Sequence, residues 1–198
     1  MLTKEQVLHY WNYAEILNEE LGKTAQFVEP DAQNYSTYSL MYTKIILSAC
    51  AEVEIICRML CQIVDSNRDY TTLKNQAKMR NLSETIQMRF PNIYQARSEL
   101  VQKQEYIYPF KVWKEDPKKN LQWWEDYNQI KHYRYQKYNS ATLENALNSV
   151  SALIILNSYL YEMITGTPTP RMTRQGMFDN CYSYCGLIVQ PSEKLPDM

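Results

Sequence analysis

Across residues 35–65 apolar side chains recur every three or four positions, as Tyr42, Ile46, Ala49, Val53, Ile56, Leu60 and Ile63. That spacing places them on one stripe of an α-helix, whereas a strand would need alternation by two. Leu47, Ile55 and Met59 fall elsewhere on the same circumference, so the helix is apolar on most sides and has to lie centrally among other helices. A second such segment spans about 140–165, with Leu143, Leu147, Val150, Ile154, Tyr161 and Ile164 on its stripe. Ala146, Leu153, Leu160 and Met163 widen it, and Gly166 and Pro168 close it. Two helices of this kind commit the chain to an all-α bundle.

The remaining segments fit around that pair. A first helix is expected over about 4–28, opened by Thr3 and Gln6 at capping-box spacing and ended by Pro30. Its stripe is Val7, Tyr10, Ala14, Leu17, Leu21, Ala25 and Val28. LSETIQMRF reads as a short helix stopped by Pro91, and 119–138 as another longer one. The polar run SNRDYTTLKNQAKMRN reads as loop or frayed helix, and EYIYPFKVWKEDPKK as an extended connection packed over the core. The architecture is therefore a bundle of about five helices over 1–165, followed by an irregular extension over 166–198. Within that extension, CYSYCGLIV has the pattern of a strand that pairs locally or with another chain. Four glycines in 198 residues leave little material for a turn-rich β fold or a phosphate-cradling loop.

Several function classes drop out on composition. Cys50, Cys57 and Cys61 lie on one helical flank among apolar neighbours and act as small hydrophobes. Cys181 and Cys185 form one C-x3-C pair without a second, too little for a zinc site, so no metal or other cofactor is expected. The amino terminus lacks a basic-then-apolar signal pattern, and the apolar run at 150–164 is too short for a bilayer and contains Asn157, so no membrane association is expected. Cytoplasmic residence is the expectation. Charge is unevenly spread: residues 1–65 carry four Lys/Arg against nine Asp/Glu, and residues 66–140 carry fourteen against eight. The basic middle can meet an acidic partner or the protein's own acidic first third.

The stretch WWEDYNQIKHYRYQKY, residues 123–138, concentrates the chemistry. On a helical wheel Trp123, Trp124, Tyr127, Ile130, Arg134, Tyr135 and Tyr138 share one broad arc, with Lys131 inside it and Asn128 and His132 on its rim. Two cations inside an aromatic face need carboxylates, aromatic rings or an open cleft, because an unpaired buried charge is costly. In one reading Lys131 and Arg134 snorkel to solvent while Asn128 and His132 bond to backbone or a neighbouring helix. In the other they form a polar pocket in which His132 acts as acid or base and Asn128, Lys131 or Arg134 holds an anion.

The order of a central apolar helix bearing ACAEVE, a long connection, YNQIKHYR on one helix and an Ala/Leu-rich last helix resembles the HEPN superfamily. The resemblance covers residues 1–165 and rests on a six-residue motif. It implies an all-α bundle, of which many are metal-independent ribonucleases in toxin–antitoxin, abortive-infection and CRISPR-associated systems. The family's hallmark is Arg, then Asn, Asp or His, then a few residues and His. Here Tyr127 stands at the Arg position, Asn128 at the polar position and His132 at the His position. In active members the Arg binds the scissile phosphate, the His assists attack by the ribose 2′-hydroxyl, and two copies often complete the site across a dimer. Tyr127 lacks the charge and the bidentate fork of Arg, so the motif departs from the active pattern.

The resemblance thus implies catalysis by His132 and Asn128, substrate contact by Tyr127, Lys131 and Arg134, an RNA or nucleotide partner, and a homodimer. The function it points to is a weakened or inactive ribonuclease of a defence type. The competing expectation is a non-enzymatic interaction or oligomerisation protein, in which the Tyr/Trp seam and the CYSYCGLIV segment mediate assembly and His132 is structural.

Overall fold

The computed structural model of the protein describes residues 2–70, 78–101, 103 and 105–178. Cys181, Cys185 and the rest of the CYSYCGLIV segment lie outside the described residues, as does part of the polar run after Asn67. Five α-helices run in the order α1 (Lys4–Thr24), α2 (Leu40–Val64), α3 (Met79–Arg89), α4 (Gln122–Lys137) and α5 (Leu143–Thr165). A two-stranded antiparallel ribbon, β1 (Ser98–Glu99) and β2 (Tyr106–Ile107), sits in the long connection between α3 and α4. The all-α bundle is the observed fold. No described helix is long and apolar enough to cross a membrane.

α5 is the axis of the molecule. Every residue from Ser149 to Tyr161 is buried, and the helix packs against both α1 and α2. A helix apolar all round has no solvent face to offer, so the others assemble on it. Its few polar side chains are satisfied at short range. Asn157 Nδ2 donates to Leu153 O at 3.0 Å, Ser158 Oγ to Ile154 O at 3.0 Å, and Ser151 Oγ to Ser98 Oγ at 2.8 Å. Buried polar groups that bond in this way cost little, which is how a polar Asn sits mid-helix in the core. Thr142 caps the start, and Gly166, at φ 67°, caps the end in the left-handed conformation that glycine adopts without strain.

α1 opens with the reciprocal Thr3–Gln6 capping box, but ends at Thr24 rather than near 28. α2 begins at Leu40, not at 35, because the preceding residues pair elsewhere. Tyr38 bridges to Thr142, Ser39 N donates to Ala141 O at 3.2 Å, and Leu143 N to Thr37 O at 2.8 Å. The starts of α2 and α5 are thereby laced together. The expected α2 stripe is buried except for Ile63, and Ile55, elsewhere on the circumference, is exposed as well; α5, not α2, takes the enclosed position. On the α2 surface, Arg58 and Glu54 pair at 2.5 Å as their spacing predicts.

The connection before α4 packs over the core as expected. Phe110 and Trp113 stack with centroids 4.8 Å apart, and Trp123 Nε1 donates to Pro109 O at 2.9 Å, which fixes the start of α4. The core also extends past the expected boundary at 165. Met177 and Phe178 are buried, Asn18 Oδ1 accepts from Phe178 N at 2.9 Å, and Asn18 Nδ2 donates to Phe178 O at 2.9 Å. The buried Glu15 carboxylate accepts from both the backbone N and the hydroxyl of Thr173, each at 2.9 Å. Residues 172–178 form a strap seated on α1.

Two predictions follow from this packing. Gly→Ala inside a helix ordinarily stabilises by about 1 kcal/mol, but a Cβ at Gly22 would stand 2.8 Å from the Gly176 carbonyl carbon. Gly22→Ala is therefore expected to cost about 1–3 kcal/mol in urea unfolding, and a gain would mean that the strap does not seat on α1. Burial raises the Glu162 carboxyl from 4.5 to about 7, against an opposing pull from Arg89. The folded state thus favours the protonated acid, and its stabilisation is complete below about pH 4.5 and lost as pH rises through about 7. Glu162→Gln should melt above wild type at pH 8 and close to it at pH 5; an equal gap at both pH values would contradict this.

Candidate nucleic-acid interface

α4 is two structures in one. Its first half carries Trp123, Tyr127 and Ile130 inward, all buried, at the i, i+4, i+7 spacing of a core stripe. Trp123 and Trp124 meet edge-on at 6.0 Å, and Trp124 lies against Tyr127 at 5.0 Å. After Ile130 the helix leaves the core. All seven residues from Lys131 to Lys137 are exposed.

The change of environment coincides with a break in the helix. Tyr133 has φ −131° and ψ 36°, outside the helical range. A wheel drawn through a continuous helix carries its phase across that point and places Arg134 and Tyr135 on the buried arc. The break resets the phase, so that arc does not continue. Arg134 is exposed, Tyr133 is 63% exposed, and Tyr135 is 100% exposed. Tyr138 then returns toward the body of the protein and meets Tyr38 edge-on at 5.5 Å.

The residues expected at the site are distributed accordingly. Tyr127 is buried between α4 and the flank of α2 that carries Cys50 and Glu54, with Lys131 Nζ 5.4 Å above its ring. Burial pushes its hydroxyl up from the ordinary phenol value, and Lys131 draws it partly back. A side chain covered in this way has no surface with which to touch a substrate. Asn128 Nδ2 is committed to Trp124 O at 3.0 Å, one turn back in its own helix. His132 is exposed, with the Tyr133 ring 6.4 Å away, and among the described residues it makes no hydrogen bond or ion pair. Tyr127, Asn128 and His132 therefore do not converge on a closed polar pocket. What the fold brings together is Tyr127 with Lys131, and what it leaves outside is His132 and Arg134.

The outer half of α4 has a chemistry of its own. Lys131, Arg134 and Lys137 are in no ion pair among the described residues, whereas Lys118 and Lys119, just before α4, are paired with carboxylates. Three cations alternating with His132, Tyr133 and Tyr135 offer both charge and open ring faces. A second cation–aromatic group was not anticipated from the sequence. The Arg97 guanidinium lies 4.8 Å from the Tyr106 ring and 5.9 Å from that of Tyr108. The signal was present in the alternation of Tyr106, Ile107 and Tyr108, which puts the two tyrosines on the side opposite the buried isoleucine as the chain runs out of β2.

Burial makes the two motif positions respond differently to substitution. Tyr127→Arg places a charge where water does not reach and should cost about 3 kcal/mol or more in urea unfolding. His132→Ala, at an exposed position, should stay within about 0.5 kcal/mol of wild type. A comparable loss for both would show that His132 is structural. Among known proteins, no family model, no curated protein and no solved structure matches the chain.

Proposed function

We propose that the chain is a HEPN-like protein of the cytoplasm that binds single-stranded RNA through the outer half of α4, with cleavage weakened or lost. The observation that carries this reading is the run of seven exposed residues from Lys131 to Lys137, in which three cations lack carboxylate partners among the described residues. Single-stranded nucleic acid is held by cations that follow the phosphates and by rings on which bases stack. Lys131, Arg134 and Lys137 supply the first, and Tyr133 and Tyr135 supply the second. His132 lies between them, open to solvent, where a ribose or phosphate held by these side chains would come close to it. Efficient cleavage also needs a cation on the scissile phosphate, and the motif position for that group is occupied by a buried tyrosine. Hence binding is the activity this geometry supports best.

A specific feature favours a second reading, an assembly protein that forms homodimers. An apolar cavity of about 750 Å³ opens between α2 and α5, lined by Leu2, Ile55, Met59, Ile63, Met163 and Ile164. In that reading His132 contributes to the fold rather than to chemistry, which its exposure does not favour.

Fluorescence anisotropy with a labelled single-stranded RNA separates the two. Binding should weaken steeply with salt, and each phosphate contact removed should flatten the log–log slope by about 0.7. Lys131→Gln with Arg134→Gln should remove two such contacts, and Tyr135→Ala should cost about 1–3 kcal/mol of binding. Parallel incubation in EDTA of wild type and His132→Ala reads any metal-independent cleavage and whether it depends on His132. Salt-insensitive oligomers that ignore RNA and dissociate on Ile63→Glu would establish the assembly reading instead.

A further inference from the structure

The apolar cavity at the far end of α2 is walled by three elements: Leu2 ahead of α1, Ile55, Met59 and Ile63 on α2, and Met163 and Ile164 in the last turn of α5. On α2 these residues stand four apart and form one ridge. Ile55 is 39% exposed and Ile63 38%, so the ridge is left open among the described residues. An open apolar surface of this kind marks a place of contact. The charged group on the same wall is already committed, since Arg58 holds Glu54 and Tyr70 O, and Gln62 Oε1 accepts from Tyr70 N. The cavity thus offers contact to apolar side chains and has no free charge to hold an ion.

The chain carries a segment that matches. Leu187, Ile188 and Val189 are three consecutive aliphatic residues past the strap, outside the described residues. The last described residue is Phe178, whose backbone N and O are both held by Asn18 on α1. On its outward path the chain leaves the cavity wall at Ile164 and meets Glu15, one turn from Asn18, at Thr173. Nine residues therefore suffice for that crossing, and Leu187 lies nine residues past Phe178. Nine extended residues span about 30 Å, whereas Asn18 stands about 24 Å along α1 from Leu2. The return is within reach.

Shape favours this occupant over a second copy. A two-fold interface centred on the cavity sets hollow against hollow, and the void that remains forfeits the contacts packing supplies. An extended segment inserts side chains instead. We infer that residues 187–189 fold back along α1 and seat in the cavity against Ile55, Met59 and Ile63, closing this end of the bundle. A ridge covered from within the chain presents no open face to a second copy. The inference stands apart from the RNA-binding reading.

Cys185, two residues before Leu187, makes the seat testable in the full chain. Ser66→Cys sets a thiol on the exposed rim of the cavity, and Cys181→Ser removes the other thiol of the tail. A disulfide needs Cα atoms roughly 4.4–6.8 Å apart. Mild oxidation should therefore link positions 66 and 185 within one chain, read by mass spectrometry of the digest, in a protein that light scattering finds monomeric. Adding Leu187→Asp and Val189→Asp should lower the yield at least about tenfold and raise the fluorescence of bound anilinonaphthalene sulfonate severalfold, as the ridge is uncovered. Linkage between two chains would assign the cavity to a second copy and overturn the inference. So would a lack of linkage at position 66, or a yield that the two aspartates leave unchanged.

Discussion

The enclosure of α5 governs the rest of the molecule. An unbroken run from Ser149 to Tyr161 is buried on every side, and each apolar side chain so covered contributes roughly 1.5–3 kcal/mol relative to exposure. A helix of that kind is stable only when others surround it, so α1 and α2 lie against it because their own stripes have no better surface. The polar side chains along the run do not disturb this arrangement. Asn157 and Ser158 return their hydrogens to carbonyls of the preceding turn, and Ser151 meets Ser98 from the β ribbon. The ribbon is thereby pinned to the axis, and the connection that carries Phe110, Trp113 and Pro109 is set in place to receive α4.

The last described residues show how far such a core reaches. The strap at 172–178 crosses α1 where Gly22 and Gly176 allow two backbones to approach, and Asn18 substitutes for a strand by bonding both backbone groups of Phe178. Glu15 is buried without a cation partner among the described residues, and its two oxygens are satisfied by Thr173 instead. These are contacts between residues more than 150 positions apart, and they place Phe178 among the most deeply buried side chains of the protein. A segment with little regular structure is as much a part of the core as any helix.

α4 has the opposite character at its two ends. Up to Ile130 it is an ordinary core helix whose stripe locks onto α2 and the connection. Past that point no described element covers it, and the departure at Tyr133 turns a run of cations and rings toward solvent. Exposure resolves the question raised by two positive charges within an aromatic face. Lys131 rests on the Tyr127 ring as a cation–π contact, while Arg134 is outside the face altogether. The same exposure separates His132 from a buried Tyr127, which is the ground on which we propose binding of a flexible polyanion rather than cleavage in a closed pocket.

Much of this was legible in the amino-acid sequence because it depends on local periodicity. The stripes of α2 and α5, the capping box at Thr3 and Gln6, the stop at Gly166 and the Glu54–Arg58 pair follow from side chains three or four apart, whose geometry one helix settles alone. What needed the tertiary structure were features set by distant partners. The start of α2 at Leu40 reflects pairing of residues 37–39 with 141–143, which competes with helix for the same backbone groups. The strap reflects Asn18 and Glu15 meeting residues far along the chain. The exposure of Arg134 and Tyr135 reflects a break at Tyr133 that no periodicity announces, since a wheel presumes the continuity it is meant to test. That buried polar atoms of Tyr42 and Glu20 lack partners among the described residues could not be foreseen either, because whether a polar group is satisfied depends on everything packed around it. Local sequence determined which helices form and which faces are apolar; only their packing decided which polar groups are satisfied and which surfaces stay open, because both depend on residues far apart in the chain.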